Sequence, residues 1–194
     1  LHKLRSAMVR SDSEPLGPFV QLDETLVGGK GGPNKQLVLV AAEKAGRVRL
    51  VHADNNDTRT LQRFADAELD AEAQVVTDGH AGYNETSLGE RPHEAKIQTK
   101  QERRHDDAVQ ACHWMTALTK RWLLGTHAGA VAPKHLQAYL DEFSFRHNRR
   151  KTNGVVRIAA RLIESLVTKP PLTMRAIVDQ TLPFRRFQSP AARG

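Results

Sequence analysis

The first half of the chain alternates apolar and polar residues with a period of two, which is the pattern of β-strands. We predict a first strand that starts at Phe19, a second over residues 36–42 and a third over residues 47–52. The polar turn GGKGGPNK and the pair Ala45 and Gly46 separate them, so these three strands are predicted to be antiparallel. The run AQVVTDG predicts a fourth strand, and residues 92–97 predict a short last one.

Helical spacing of apolar residues dominates the second half of the chain. One helix is predicted at about residues 59–70, between the third and fourth strands, and others over residues 106–124, 133–151 and 155–167. The helix over residues 106–124 should bury Ala108, Ala111, Met115, Leu118 and Trp122. The helix over residues 155–167 should bury Val155, Ile158, Leu162 and Leu166. Residues 100–107 are dense in charge and are predicted to be a surface loop.

This order of elements predicts the fold. Three antiparallel strands, a helix, a parallel strand and then helices build an α/β layer, a mixed sheet of about five strands flanked by helices. We expect the RNase H-like, or retroviral-integrase-like, architecture with extra C-terminal helices.

Composition narrows the class of protein. The single cysteine, Cys112, excludes a disulfide framework and any cysteine-rich zinc site within these 194 residues. No apolar run approaches the ~18 residues that a membrane span needs, so we expect no membrane partner and a cytoplasmic location.

The charge is unevenly distributed along the chain. Residues 1–100 hold 13 Lys and Arg against 15 Asp and Glu, whereas residues 101–194 hold 16 against 7. The net charge of +7 therefore comes from the second half. A basic half beside a nearly neutral one favours a polyanion such as nucleic acid as the partner, although basic surfaces also serve solubility.

Two carboxylates stand out against this background. Asp23 lies in the middle of the first strand, where an ionised carboxylate costs several kcal/mol unless something, most often a divalent metal, pairs with it. The alternative is a half-exposed edge strand with Asp23 and Glu24 in solvent. Asp78 ends the fourth strand just before Gly79, which is also a common turn arrangement.

The predicted fold brings these carboxylates together. In an RNase H-like sheet, the middle of the first strand and the end of the fourth lie on adjacent strands, within reach of a shared metal pair. A third ligand should come from the late helix, where His113 and Lys120 lie two turns apart and point the same way, opposite the predicted apolar stripe.

Four sequence blocks in order carry a resemblance to a known family: LDETLVGGK, VVTDGHAGYN, KRWLLGTHAGAV and YLDEFSFRHNRR. The chain resembles bacterial insertion-sequence transposases of the DDE superfamily, in the branch with the ISXO-type transposase domain. The resemblance covers residues 19–150, most of the chain.

The resemblance implies DNA strand cleavage and strand transfer at the ends of an insertion sequence. It implies two divalent metal ions, Mg²⁺ or Mn²⁺, held by Asp23, Asp78 and His113. Its partners would be the terminal inverted repeats and target DNA in the bacterial nucleoid, bound by a homo-oligomer in a synaptic complex. The alternatives are a metal-dependent nuclease of the same fold and an inactive DNA-binding remnant.

His113 departs from the family pattern, because the superfamily usually has glutamate at this position. An imidazole suits Mn²⁺ better than Mg²⁺ and leaves the metals with less charge compensation. His113 could instead be a surface histidine or the mark of a decayed element, and Asp106 or Asp107 could supply a carboxylate in its place.

Basic residues near these blocks are expected to bind DNA phosphates, with the alternative that Arg146 pairs with Glu142 one turn back. They are Lys30, Lys120, Arg121, Arg146, Arg149 and Arg150. Glu24 and Tyr83 are expected to have a structural role next to the metal ligands without binding the metals themselves.

The resemblance also divides the chain. Residues 1–14 are expected to be the end of a truncated N-terminal DNA-binding region and linker, because Leu1, Leu4 and Met8 have helical spacing. Residues 15–151 would form the catalytic domain, and residues 152–194 a C-terminal helix and basic tail.

Overall fold

A computed structural model describes residues 2–9, 14–28, 35–127, 131–168, 173 and 175. The strands are β1 Phe19–Val27, β2 Gln36–Glu43, β3 Val48–Ala53, β4 Gln74–Thr77 and β5 His93–Ala95. They form one five-stranded sheet in the order β3-β2-β1-β4-β5. β1–β3 are antiparallel, whereas β4 pairs in parallel with β1 and β5 in parallel with β4. The predicted RNase H-like fold is confirmed.

Seven helices accompany the sheet in the described part of the chain. They are α1 His2–Met8, α2 Thr58–Glu68, α3 Glu85–Leu88, α4 Lys100–His105, α5 Gln110–His127, α6 Pro133–Asn148 and α7 Val155–Thr168. None of them is both long and apolar enough to cross a membrane. Lys30 and the predicted basic tail lie outside the described residues.

The sheet separates two hydrophobic cores, because successive side chains of a strand point to opposite faces. On one face Leu22 and Leu39 pack with Phe64 of α2. On the other face Val40 and Leu50 pack with residues of α5 and α6. Both faces of the central strands are therefore covered, and the one polar residue that β1 buries fully is Asp23.

The segment predicted to be a loop at residues 100–107 contains the helix α4, so that prediction is wrong. The side chain of Thr99 accepts a hydrogen bond from the backbone N–H of Glu102, whose carboxylate accepts one from the backbone N–H of Thr99. This capping box satisfies backbone donors of the first turn and starts a helix that buries none of its residues.

The buried stripe of α5 is also displaced from the predicted one. The helix buries Cys112, Met115, Thr119 and Leu123, while Ala111, Leu118 and Trp122 are only half-buried. Small side chains at two of the buried positions let the helix approach the sheet closely. The larger Trp122 packs beside this line, with its ring centroid 5.8 Å from that of Phe143.

The prediction that α7 buries an apolar stripe is wrong. The helix packs on α1 instead of the sheet, and none of its residues is buried. Ile158 and Leu162 are half-buried, whereas Val155 is 82% exposed. An apolar stripe shows which side of a helix can be covered by other elements. Here the covering element is the short helix α1, which leaves most of the stripe accessible.

Three histidines meet where α1, α5 and α6 converge. The rings of His2 and His135 lie 4.6 Å apart, and His127 lies 4.1 Å from the ring of Tyr139. Each histidine has a buried ring nitrogen without a hydrogen-bond partner in the described structure. The guanidinium of Arg5 lies 4.3 Å above the same Tyr139 ring, so this cluster is unfavourable for additional positive charge.

This cluster predicts acid sensitivity. Burial, with the charge of Arg5 nearby, lowers the pKa of His2, His127 and His135 below the ordinary value. The unfolded chain therefore takes up protons first as the pH falls, so stability present above about pH 6.5 is lost below it. We expect the melting temperature of His127→Phe to fall less than that of the wild type between about pH 7.5 and 5.5. The exposed-site variant His105→Phe should follow the wild type, and equal slopes for all three proteins would contradict the prediction.

Candidate active site

Asp23 lies in the middle of β1, on the sheet face that α5 covers. Its residue is only 7% exposed, and its Oδ1 accepts a hydrogen bond of 2.8 Å from the backbone N–H of Glu24. Burial raises the pKa of Asp23 to about 6, although the nearby His113 opposes the shift. The expectation of a buried carboxylate is therefore met, and the edge-strand alternative is wrong.

Asp78 directly follows β4, near enough to Asp23 for the two carboxylates to interact electrostatically. The parallel register pairs Gln21 with Val76, and Asp23 and Asp78 each come two residues later in the chain. The charge of Asp78 also contributes to the raised pKa of Asp23. The chain then turns at Gly79, whose φ is +90° and where a Cβ would meet Ile97 at 2.5 Å, so glycine is required there.

His113 completes the group from the first turns of α5. Its Nε2 lies 3.5 Å from Oδ2 of Asp23. Its Nδ1 lies 2.5 Å from Oδ2 of Asp107, and because a carboxylate only accepts, Nδ1–H donates this bond. The ring is therefore held with Nε2 directed at Asp23.

The start of α5 is fixed to β1 by Gln21. The side-chain oxygen of Gln21 accepts a hydrogen bond of 2.7 Å from the backbone N–H of Ala111. The thiol of the buried Cys112 donates to the backbone oxygen of Gln21 at 3.1 Å. These contacts set the distance between His113 and Asp23. The only sequence signal for them is a polar side chain on the buried face of β1.

Glu24 and Tyr83, which were expected to support the site, meet on the opposite face of the sheet. The Tyr83 hydroxyl donates to Oε2 of Glu24 at 3.1 Å, and the Asn56 amide donates to Oε1 at 3.3 Å. Nε2 of His80 lies 3.7 Å from the same Oε1. Burial and the adjacent Glu24 raise the pKa of Tyr83. The network ties the loop after Asp78 to β1, and the sequence did not single out Asn56 or His80.

The donor set suits a divalent cation in kind. Two carboxylates and an imidazole nitrogen are ligands of Mn²⁺, and a buried aspartate whose pKa is raised is stabilised by a cation. A carboxylate behind a ligating histidine, the position of Asp107, is the usual arrangement at metal centres. No group of three or more His, Cys, Asp and Glu side chains in the described ranges is already arranged to hold a metal.

The basic residues predicted to bind DNA fall into two groups. Lys120 and Arg121 are exposed on α5, and their side chains form no hydrogen bond or ion pair with other described residues. The other three have partners within the chain. Arg146 lies 3.5 Å from Glu142, as the alternative proposed, and the Arg149 guanidinium lies 4.0 Å above the Phe145 ring. Arg150 donates to the backbone oxygens of Ala45, Gly46 and His147.

The sheet order, with parallel β4 added beside antiparallel β1–β3 and helices on both faces, defines an RNase H-like protein. A family model for the ISXO2-like transposase domain matches residues 9–148, which is more than half of the chain. The chain belongs to this family of insertion-sequence transposases in the DDE superfamily. No curated protein and no solved structure gives a significant match.

The burial of Asp23 predicts that function and stability oppose each other at this position. Above about pH 6 the ionised carboxylate destabilises the metal-free fold, because the folded chain holds the proton more tightly than the unfolded chain does. We expect Asp23→Asn to stabilise the chain in EDTA at about pH 8, on the order of 2 kcal/mol in urea unfolding. Glu90→Gln, at an exposed carboxylate, should have no effect. A destabilised Asp23→Asn protein would show that the charge is already compensated.

Proposed function

We propose that residues 15–151 form the catalytic domain of a transposase that cleaves DNA strands at insertion-sequence ends and joins them to target DNA. The observation that carries this proposal is the parallel register of Gln21 with Val76, two residues before Asp23 and Asp78, together with the distance of 3.5 Å between Nε2 of His113 and Asp23. Membership of the transposase family supports a DNA partner.

The proposed site uses its side chains in distinct roles. Asp23 and Asp78 would hold the metal ions through carboxylate oxygens, and His113 would add the nitrogen ligand. A divalent metal pair, when bound there, supplies Lewis-acid stabilisation of the phosphoryl oxygens and lowers the pKa of the attacking hydroxyl group. Asp107 positions the His113 ring and stabilises the tautomer whose lone pair faces the site.

The contact between His113 and Asp107 favours a ligand over a relic of a decayed element. The Nδ1–Oδ2 distance of 2.5 Å orients an imidazole that is otherwise half-exposed, with 37% of its side chain accessible. A surface histidine without a role needs no such orientation. A neutral ligand where glutamate is usual also predicts a preference for Mn²⁺ over Mg²⁺.

The metal preference can be measured on a duplex that carries the terminal inverted repeat. We expect Mn²⁺ to support cleavage better than Mg²⁺, since a nitrogen ligand suits Mn²⁺. His113→Glu should narrow this difference by restoring a charged oxygen ligand, and His113→Ala should lose activity with either ion. Asp107→Asn should reduce the rate on the order of tenfold or more, because the ring loses its negatively charged acceptor.

Controls separate metal binding from DNA binding and from the overall fold. Asp23→Ala and Asp78→Ala should abolish cleavage and leave duplex affinity unchanged, because these carboxylates hold metals and do not read bases. Mn²⁺ should raise the melting temperature of the wild type and not that of Asp23→Ala. Pre-cleaved ends test strand transfer and separate a transposase from a nuclease. Full cleavage by His113→Ala would show that His113 is not a metal ligand. A wild type that is inactive with both ions would favour the alternative of an inactive DNA-binding remnant.

The free cations of α5 provide a second prediction, on DNA affinity. Lys120 lies two helical turns beyond His113 and, with Arg121, is available to DNA phosphates. We expect Lys120→Ala combined with Arg121→Ala to weaken binding to all duplex sequences alike. The slope of log K against log salt should fall by about 0.9 for each phosphate that the variant no longer neutralises. Lys134→Ala, which removes an exposed charge from α6, is the control. A sequence-specific loss or an unchanged salt slope would place the DNA elsewhere.

A further inference from the structure

A cavity of about 580 Å³ lies beside the candidate active site. It is formed by the start of α5, the turn between β2 and β3, and the end of α6, and its volume is in the range of small-ligand pockets. Its lining includes Asp106, Asp107, Gln110, Trp114, His147 and Arg150. Nothing in the proposed chemistry of Asp23, Asp78 and His113 uses this space.

An exposed tryptophan forms one wall of the cavity. Trp114 follows His113 in α5, and its residue is 62% exposed. The only other tryptophan of the chain, Trp122, is half-buried against Phe143. A large exposed indole offers a flat surface for stacking at little cost in conformational entropy, so it is suited to an aromatic ligand.

Polar groups next to the indole are free to bind a ligand. The Asp106 carboxylate and the Gln110 amide are exposed, and neither side chain has a hydrogen-bond or ion-pair partner in the ranges that the structure describes. Together they present acceptors and a donor, the groups that recognise the amino, imino and carbonyl groups on the edge of a nucleobase.

The charges of the lining argue against a phosphate in the cavity. Arg47 is engaged by Glu43 at 2.6 Å, and Arg150 by three backbone oxygens. Lys44 also lines the cavity and is exposed, but the two carboxylates of Asp106 and Asp107 on the same lining would repel a phosphate. The cavity is therefore suited to a flat, uncharged ring with hydrogen-bonding edges.

The cavity is separated from the proposed catalytic group by a single side chain. Asp107 lines the cavity and accepts the hydrogen bond of His113, whose Nε2 lies 3.5 Å from Asp23. Gln21, another lining residue, precedes Asp23 by two positions on the same strand face. A ring in the cavity would thus belong to a nucleotide adjoining a phosphate held at Asp23.

We propose that this cavity receives a nucleobase taken out of the duplex beside the reacting phosphate, stacked on Trp114 and bound at its edge by Gln110 and Asp106. The inference rests on the proposed function, since it requires DNA at Asp23. Extruding a base costs stacking and pairing energy, and this cost is lowest for a base that is already unpaired. The cavity should therefore favour DNA with an unpaired base.

Tryptophan fluorescence tests this directly, because the chain has two tryptophans. Trp122→Phe leaves Trp114 as the only reporter, and Trp114→Phe is the matched control that leaves Trp122. The probes are one duplex in three forms, with a single unpaired base, with an abasic residue at that position, and fully paired. We expect the unpaired-base duplex to quench the emission of Trp114 more than the other two forms do, and the emission of Trp122 to be unchanged.

Affinity provides the second measurement. Trp114→Ala should lose on the order of tenfold in affinity for the unpaired-base duplex, and much less for the abasic one. Because Trp114 is exposed, this variant should keep the wild-type melting temperature. Equal quenching by the unpaired-base and abasic duplexes would overturn the proposal. So would a change in Trp114 emission with protein concentration alone, which would identify a contact between two copies of the chain.

The two proposals can fail separately. Asp23→Asn should retain the quenching of Trp114, because the cavity lacks that side chain. Base-dependent quenching by a protein that does not cleave would support the cavity and count against the transposase chemistry. Cleavage by a protein whose Trp114 emission does not change with the unpaired base would support the transposase chemistry and count against the cavity.

Discussion

A carboxylate buried in a central strand is the constraint on which this structure depends. Asp23 is enclosed by α5 on the covered face of β1, where burial raises its pKa to about 6. The parallel pairing of β1 with β4 increases the electrostatic penalty by adding Asp78, and His113 offsets part of it. A fold selected only for stability would place an apolar residue at this position. The site therefore has a surplus of negative charge, which a cation bound there would relieve.

The sequence predicted most of the fold, because the dominant signals are periodic and local. The alternation of apolar and polar residues predicted β1–β3, and a run of β-branched residues before Asp78 predicted β4. Where prediction failed, a local pattern had been overlooked or a tertiary partner was missing. The capping box of Thr99 and Glu102 starts α4 in a segment whose charge suggested a loop. The apolar stripe of α7 packs only on the short helix α1, so none of its residues is buried.

The candidate site was only partly predictable for the same reason. Asp23, Asp78 and His113 followed from element order and from resemblance to a family. The contacts between Asp107 and His113, and between Gln21 and Ala111, depend on how the start of α5 sits on the sheet. No periodicity encodes that placement. The cavity at Trp114 has no sequence signal of its own, because it is formed by segments far apart in the chain.

The attachment of α5 to β1 has a mechanical consequence. The helix is a rod of 18 residues, roughly 27 Å long at 1.5 Å per residue, and Gln21 clamps it at the end that carries His113. Directional hydrogen bonds hold this end, whereas the distal end is held by the packing of Trp122 on Phe143 and of His127 on Tyr139, which permits more displacement. Tilting of α5 as DNA of varied shape engages its distal end would displace Gly125 far more than His113. The hydrogen bond from Ala111 to Gln21 would therefore keep the distance between His113 and Asp23 constant when the distal end of α5 moves.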